Sequence, residues 1–473
     1  MPIRPHEPSA VRGTTPEWTA ALIEEATGGS WLVRPPEGWS ATGLCLYAPA
    51  MRAGNIVAVR GPEEGKGVLP RIVRDMDPRP VGLIVGKTGE APLHNVPALA
   101  VPDVGEAILA MGRYSRSRMS GKVLAVTGSA GKTTAVAMLS HVLEAWGGAA
   151  RTSHNANLPH GVAWNLASMG WEMPHLVLEL AVGRMAQSAR MARPHVAMVT
   201  NILPAHLGER GTTKDIAMTK RAIFLGMSPG GVAVLNRDMQ EWETVHEAAH
   251  GQGLEIVHYG ATDASDFQML SYDAAEGLVR ARVQGRQVRY QVGAGGAHMA
   301  LNSLGVLAAT AALGYPLEPA MERLSTFKAL PGRGEELQLT FKGRRLTIID
   351  DAYNANPGSM GAALGHLGGK RGAGRRIAVL GEMLDLGENA GNYHSELATL
   401  VASNAIDRVY AVGALYGDFW DRIPAACRGA HAASLDELKV ALSRDLIDGD
   451  IVLFKGSNGA RIHHLVSWMK TCS

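Results

Sequence analysis

Val123-Leu124-Ala125-Val126-Thr127-Gly128-Ser129-Ala130-Gly131-Lys132-Thr133-Thr134 is the stretch that decides the fold. Its first four residues form a short apolar run, as in a strand buried on both faces. Residues 135–146 follow with helical spacing and stop at Gly147-Gly148. A strand, a glycine turn and a helix in that order make a cradle for phosphate. Glycines let the backbone turn so that N–H groups point at phosphate oxygens, and the helix N-terminus adds partial positive charge. Lys132 supplies a full charge to the β/γ-phosphates, and the Thr133 hydroxyl suits Mg²⁺. Residues Gly128, Ser129, Ala130, Gly131, Lys132, Thr133 and Thr134 are the candidate ATP contacts. The loop is shorter than G-x-x-x-x-G-K-[ST], because Val126 holds the place of the first glycine. The flanking strand and helix weigh against a chance Lys-Thr pair in an ordinary turn.

Downstream, residues 176–180 (LVLEL) and 196–200 (VAMVT) read as further buried strands. Strands alternating with helices imply a mostly parallel sheet. A new unit begins at Leu330-Pro331-Gly332-Arg333, with strand candidates at 346–350, 377–380, 409–412 and 451–454. It reads as a second doubly wound, Rossmann-like α/β unit. Upstream, residues 54–59 (GNIVAV) and 81–85 (VGLIV) are strand-like runs between Gly/Pro-rich turns, so the N-terminal part reads as a small α/β domain without a catalytic signature. The fold class is α/β, in three domains. These are 1–119 for substrate, 120–329 around a central P-loop parallel sheet that binds ATP, and 330–473 for the amine substrate.

The chain has 473 residues, enough for about three domains. Apolar residues at 46% and charged residues at 19% exclude a disordered or fibrous chain. A net charge of +2 from 46 bases and 44 acids argues against nucleic acid or an anionic membrane as the main partner. Cys45, Cys427 and Cys472 are scattered and odd in number, so no disulfide framework or CxxC site is legible, which suits the cytoplasm. The N-terminus lacks an apolar signal core. The longest mostly apolar stretch, 299–314, contains Asn302 and Ser303. It reads as a buried helix too short for membrane insertion.

The shorter loop T-G-x-x-G-K-T-[ST] is the form found in Mur ligases, and the chain resembles that family of ATP-dependent, amide-forming enzymes. The resemblance is strong from about residue 121 onward and weak before it. Six segments stand in the family's order: 152–161 (TSHNANLPHG), 202–212 (ILPAHLGERGT), 330–333 (LPGR), 350–359 (DDAYNANPGS), 379–386 (VLGEMLDL) and 455–457 (KGS). Within the family the chain looks most like the branch that adds D-alanyl-D-alanine to UDP-N-acetylmuramoyl-tripeptide.

The resemblance implies roles for particular residues. Glu179, at the end of an apolar run, matches a magnesium ligand. A carboxylate there needs a positive partner, and Arg184 or Arg190 is the alternative to a metal. His206 resembles the histidine on a second magnesium. Lys220 alone reads as a surface lysine on an amphipathic helix. The family places a carbamylated lysine at this motif, an anionic oxygen ligand suited to Mg²⁺. Lys132, Glu179, His206 and Lys220 form the implied catalytic set. His298-Met299-Ala300-Leu301-Asn302 lacks the first Asn of the family's H-N-x-x-N, and Asn302 remains as an adenine contact or a polar helix cap. Arg333 resembles an arginine that reaches phosphate when the C-terminal domain closes. Asp351, Asn354 and Asn356 face the ribose and the amine side, although turn chemistry also suits these residue types. Lys455 lies near the acceptor's carboxylate or the phosphates.

Two stretches depart from the family. Relatives carry a D-S-R-type element before a G-D-x-F-x-A strand, whereas residues 47–59 here read YAPAMRAGNIVAV. Relatives follow the metal-binding Glu with Gly-Ala-Asn-His-Gln-Gly, whereas here Ala181-Val182-Gly183-Arg184-Met185-Ala186 puts Arg184 in place of the His. Arginine there suits a free carboxylate or phosphate on the substrate. The leading expectation is a Mur-type ligase that couples a small-molecule carboxylate, other than the UDP-muramyl peptide, to an amino acid or dipeptide in a specialised pathway. The alternatives are a divergent peptidoglycan ligase adding D-alanyl-D-alanine, a non-catalytic nucleotide-binding partner protein and a P-loop phosphotransferase. ATP and Mg²⁺ are the expected cofactors.

Overall fold

The computed structural model describes residues 15–472 except 62–64, 88–90, 206, 207, 209, 210 and 373. His206 therefore lies outside the described residues. The chain forms two compact units. The first holds the described residues up to Val126, with Leu143–Ala197 and Ala222–Gly231. The second holds Thr127–Val142, Met198–Arg221 and the described residues from Val232 on.

In the first unit, a five-stranded sheet runs in the order Ser30–Val33, Ala98–Val101, Gly82–Gly86, Asn55–Ala58, Gly43–Cys45. It is parallel except for the Ser30–Val33 edge. The inner strands are buried at nearly every position. That double burial is why they read as unbroken apolar runs. A second parallel set joins Ala150–Arg151, His175–Glu179 and Lys122–Thr127, with Glu179 opposite Val126. Helices Val104–Arg118 and Pro159–Ser168 cover this unit and approach closely. A Cβ on Gly112 would stand 2.5 Å from the Ala163 α-carbon.

In the second unit, Val232–Asn236, Glu255–Gly260 and Phe267–Asp273 are parallel neighbours. Leu278–Val283 and Arg286–Gln291 then extend the ladder antiparallel. That extension departs from the parallel pattern expected for this region. Ala297–Ala312 is the buried apolar helix expected at 299–314. The C-terminal six-stranded sheet runs Glu335–Phe341, Arg344–Asp351, Ile451–Lys455, Arg376–Gly381, Arg408–Val412, Arg428–Ala432, with only the first pair antiparallel. The carboxyl ends of its parallel strands line up, Asp351 beside Lys455 and Gly381 beside Val412. Ligands bind doubly wound sheets at that edge.

Candidate active site

Gly128 and Gly131 are fixed by close approach as well as by backbone angle. Gly128 has φ +152°, and a Cβ there would stand 1.8 Å from the Thr200 hydroxyl oxygen. Gly131 has φ +77°, and a Cβ would meet the Asn302 amide at 2.9 Å. The loop between them is braced by the segment after the strand Val196–Val199. The Ser129 N–H donates to the Asn201 carbonyl at 3.0 Å, and the Ala130 N–H donates to Asn201 Oδ1 at 2.8 Å. Thr200 Oγ1 donates to the Ala130 carbonyl at 2.6 Å. The Ser129 hydroxyl donates to the Leu203 carbonyl at 2.9 Å and accepts from the Leu203 N–H at 3.0 Å. Thr133 and Thr134 lie in the first turn of helix Lys132–Leu143. The loop is thus held before any ligand arrives, as a phosphate cradle requires.

Lys132 Nζ donates to the Gly128 carbonyl at 2.9 Å, and so does Lys220 Nζ, also at 2.9 Å. Lys220 ends the helix Thr213–Lys220, whose start is fixed by a capping box between Thr212 and Asp215. Its exposure is 2%, so the surface-lysine reading is corrected. A buried ammonium is rare without a purpose-built partner, and here it is aimed at the phosphate loop.

In the first unit, Glu179 is buried at the end of strand His175–Glu179. Its Oε1 accepts from Asn157 Nδ2 at 2.8 Å, and its N–H donates to Thr152 Oγ1 at 2.9 Å. The described geometry thus gives Glu179 an amide donor from the 152–161 segment. Arg184 is exposed and left-handed at φ 53°, just before helix Met185–Ala192.

On the C-terminal sheet, Lys455 is buried and pairs with Asp351 at 2.7 Å. It also donates to the Asn354 carbonyl at 3.2 Å. Asn354 is exposed. The Asn356 side-chain oxygen is engaged as a helix cap, accepting from the Ser359 N–H at 2.9 Å. Turn chemistry therefore accounts for Asn356. Arg333 stacks 4.1 Å above the Tyr353 ring. His298, in the first turn of the buried helix, is lowered to about 4, chiefly by burial, with Asp351 opposing and His366 and Lys455 adding to the shift.

The second unit therefore brings together the loop 128–134, Lys220 and Asn302, and separately Asp351, Asn354 and Lys455. Glu179 and Arg184 belong to the first unit. The sequence reading missed Thr200, Asn201 and Asn157, which work through backbone carbonyls, N–H groups or a second side chain. Their signal was position alone, as polar residues right after a buried strand or inside a family segment.

Residues 126–310 match the Mur ligase middle domain, and residues 332–458 match the Mur ligase glutamate ligase domain. The UDP-N-acetylmuramoyl-tripeptide–D-alanyl-D-alanine ligase of Treponema pallidum is 30% identical over 379 residues, 78% of this chain and 79% of that protein. The Bacillus subtilis enzyme of the same name is 28% identical over 387 residues, 79% of this chain and 81% of that protein. Among solved structures, MurF from Acinetobacter baumannii has a TM-score of 0.81 at 24% identity and covers 96% of this chain and 99% of that one. The MurF ligase from Thermotoga maritima, in complex with ADP, has a TM-score of 0.75 at 24% identity and covers 91% and 97%. Those two structures share the fold. With the domain matches and the Treponema relative, they lead to one conclusion: this chain belongs to the Mur ligase family, the ATP-dependent ligases that form carbon–nitrogen bonds.

Proposed function

We propose that the chain activates a substrate carboxylate with ATP and couples it to the amine of an amino acid or dipeptide, releasing ADP and phosphate. The carboxylate oxygen attacks the γ-phosphorus, ADP leaves, and an acyl phosphate forms. The amine then attacks the acyl carbon, and the tetrahedral intermediate expels phosphate to leave the amide. A free carboxylate is a poor electrophile until it carries that leaving group. The observation that supports this reading most is the braced phosphate loop, with the Lys132 ammonium on the carbonyl of its own Gly128 and Thr200 and Asn201 holding its backbone. Positive charge fixed at that point stabilises a phosphoryl group in transfer.

The donors fit magnesium. Thr133 and buried Glu179 offer hard oxygens, and a hard, strongly hydrated cation takes few protein ligands beside phosphate oxygens. The family pattern assigns Thr133, Glu179 and His206 to the ion, with Lys220 as its carbamate. When bound, the ion neutralises charge on the phosphates. Asn302 lies over Gly131 and serves the adenine. Asp351, held by Lys455, serves the ribose, and Asn354 faces the amine side.

The relatives' names supply one substrate pair, UDP-N-acetylmuramoyl-tripeptide and D-alanyl-D-alanine. A second reading, a different carboxylate in a specialised pathway, is favoured by the exposed Arg184 and the rewritten stretch 47–59. The test is product analysis over a panel of carboxylates with amino acids and dipeptides, the muramyl pair included. ADP and phosphate are expected, and release of AMP and pyrophosphate would exclude the mechanism. Efficient turnover of the muramyl pair selects the first reading.

A further inference from the structure

The antiparallel strands of the second unit border a cavity of about 420 Å³, a size that takes a small molecule. Ser271, Asp273, Glu276, Leu278 and Arg280 line it from the hairpin, and Arg371 lines it from beyond helix Pro357–Gly368. Arg280 and Arg371 are exposed, and neither makes an ion pair among the described residues. Asp273 does not neutralise them. Its Oδ1 accepts from the Ala275 N–H at 2.8 Å and the Glu276 N–H at 3.4 Å, and those two bonds, ahead of Arg371 and Arg280, hold its carboxyl below the usual range. Arg280 also stands directly opposite Arg289 in the ladder, and like charges so placed oppose strand pairing. An anion on Arg280 offsets that repulsion. The Glu276 carboxylate is exposed on the same lining and makes no ion pair among the described residues. The cavity thus offers two uncommitted guanidinium groups and one uncommitted carboxylate.

This is not the amine side of the candidate active site. Asn354 and Asn356 stand before helix Pro357–Gly368, and Arg371 follows its other end. Twelve residues of helix put about 18 Å between them. The strand Phe267–Asp273 connects the cavity to the phosphate loop instead. Successive residues of a strand face opposite ways. Ser271 pairs with exposed Arg280, and Tyr272 pairs with buried Val279. On that inner face the Tyr272 hydroxyl accepts from the Gly296 N–H at 2.9 Å. Gly296 is the N-cap of helix Ala297–Ala312, and that helix holds Asn302 against Gly131 of the loop.

We propose that the cavity is a second, non-catalytic site that takes a zwitterion, a free amino acid or a short peptide, and that its occupation is felt at the phosphate loop through Tyr272. The ligand's carboxylate lies across Arg280 and Arg371, which suit it as planar forks, and its ammonium lies against Glu276. A simple carboxylate or a simple amine satisfies only half of this lining. The inference goes beyond the ligation reading above, which places the amine at another edge of the C-terminal sheet.

The test needs no turnover, so this proposal and the ligation reading can fail separately. Alanine and alanyl-alanine, each in D and L forms, are titrated into the full chain without ATP and followed by calorimetry, with propionate and ethylamine as half-ligands. At least one zwitterion is expected to bind, with both half-ligands about tenfold weaker or more. Arg280→Ala and Arg371→Ala should each weaken that binding about tenfold, whereas Asn354→Ala should leave it unchanged. The saturating zwitterion should shift ATP affinity about fivefold or more. Tyr272→Phe keeps the ring but loses the oxygen, so it should still bind the zwitterion and lose the shift. Wild-type binding after both arginines are replaced, propionate bound as tightly as the zwitterion, or an ATP affinity that ignores the zwitterion would each overturn the proposal.

Discussion

The ammonium groups of Lys132 and Lys220 meet at one atom, the carbonyl oxygen of Gly128, each at 2.9 Å. Lys132 thereby holds a full positive charge on the phosphate loop, where a phosphoryl group in transfer needs it. Lys132→Ala should therefore cut ADP release by ~10²–10³ or more. The far-UV circular dichroism should not change, because the loop faces ligand rather than core. Glu179→Ala should lower activity and weaken its magnesium dependence together. Near-normal turnover in either variant would mean that the nucleotide is held elsewhere.

Lys220 offers a second test. As a carbamate it carries a carbon taken from dissolved CO₂. Protein equilibrated with ¹³C-bicarbonate should show a carbamate resonance that Lys220→Arg lacks, and activity should fall when CO₂ is stripped. Full activity without CO₂, together with no such resonance, would leave Lys220 acting as an ammonium.

Arg184 is exposed, and its backbone, not its side chain, caps helix Met185–Ala192 by accepting from the Gln187 and Ser188 N–H groups. Arg184→Ala should raise KM for the acyl substrate more than it lowers kcat, the pattern of lost ground-state binding. On the second reading, with a different carboxylate, turnover of UDP-N-acetylmuramoyl-tripeptide with D-alanyl-D-alanine should be weak. An unchanged KM with the preferred carboxylate would remove Arg184 from the acceptor pocket.

Arg333 rests on Tyr353 at 4.1 Å, beside Gly332 at φ +72°. Stacking leaves the in-plane N–H groups of the guanidinium available to a phosphate, and the acyl phosphate must be shielded from water, so closure of the C-terminal domain is expected to precede chemistry. Nucleotide plus both substrates should change the small-angle scattering profile, with the hinge near 330–332. Identical profiles with and without ligands would count against a mobile C-terminal domain.

His298 predicts a pH dependence of stability. Burial lowers it to about 4 from 6.5, so between those values the unfolded chain takes up a proton that the folded chain refuses. Its stabilising contribution is complete above 6.5 and declines as pH falls toward about 4, by roughly 3 kcal/mol in all. Thermal midpoints at about pH 7.5 and pH 5 should lie closer together in His298→Gln than in the parent. Equal separations would show that the acid sensitivity arises at other histidines.

The parallel strands were legible because burial on both faces leaves an unbroken apolar run. Residues 176–180 became His175–Glu179, and 451–454 became Ile451–Lys455. The antiparallel strands Leu278–Val283 and Arg286–Gln291 were not read. Their exposed faces carry arginines and glutamines, and only the alternation of Val279, Ala281 and Val283 with Arg280 and Arg282 betrays the first. In the site, the place of Lys132 on the loop was legible because a glycine turn between a strand and a helix is a local pattern. Thr200 and Asn201 were not, because they act on a loop about seventy positions away through hydrogen bonds with the backbone. Such partnerships leave no spacing to detect in the sequence.

The close approach of helices Val104–Arg118 and Pro159–Ser168 also sets a limit on variation. A Cβ on Gly112 would stand 2.5 Å from the Ala163 α-carbon, and that neighbour is backbone rather than the end of a flexible side chain. Even the smallest side chain at Gly112 would therefore have to push one helix off the other, and no compensating change of side chain at position 163 could make the room. The first domain tolerates exchange at its surface, but at this one crossing its spacing is written into the absence of a side chain.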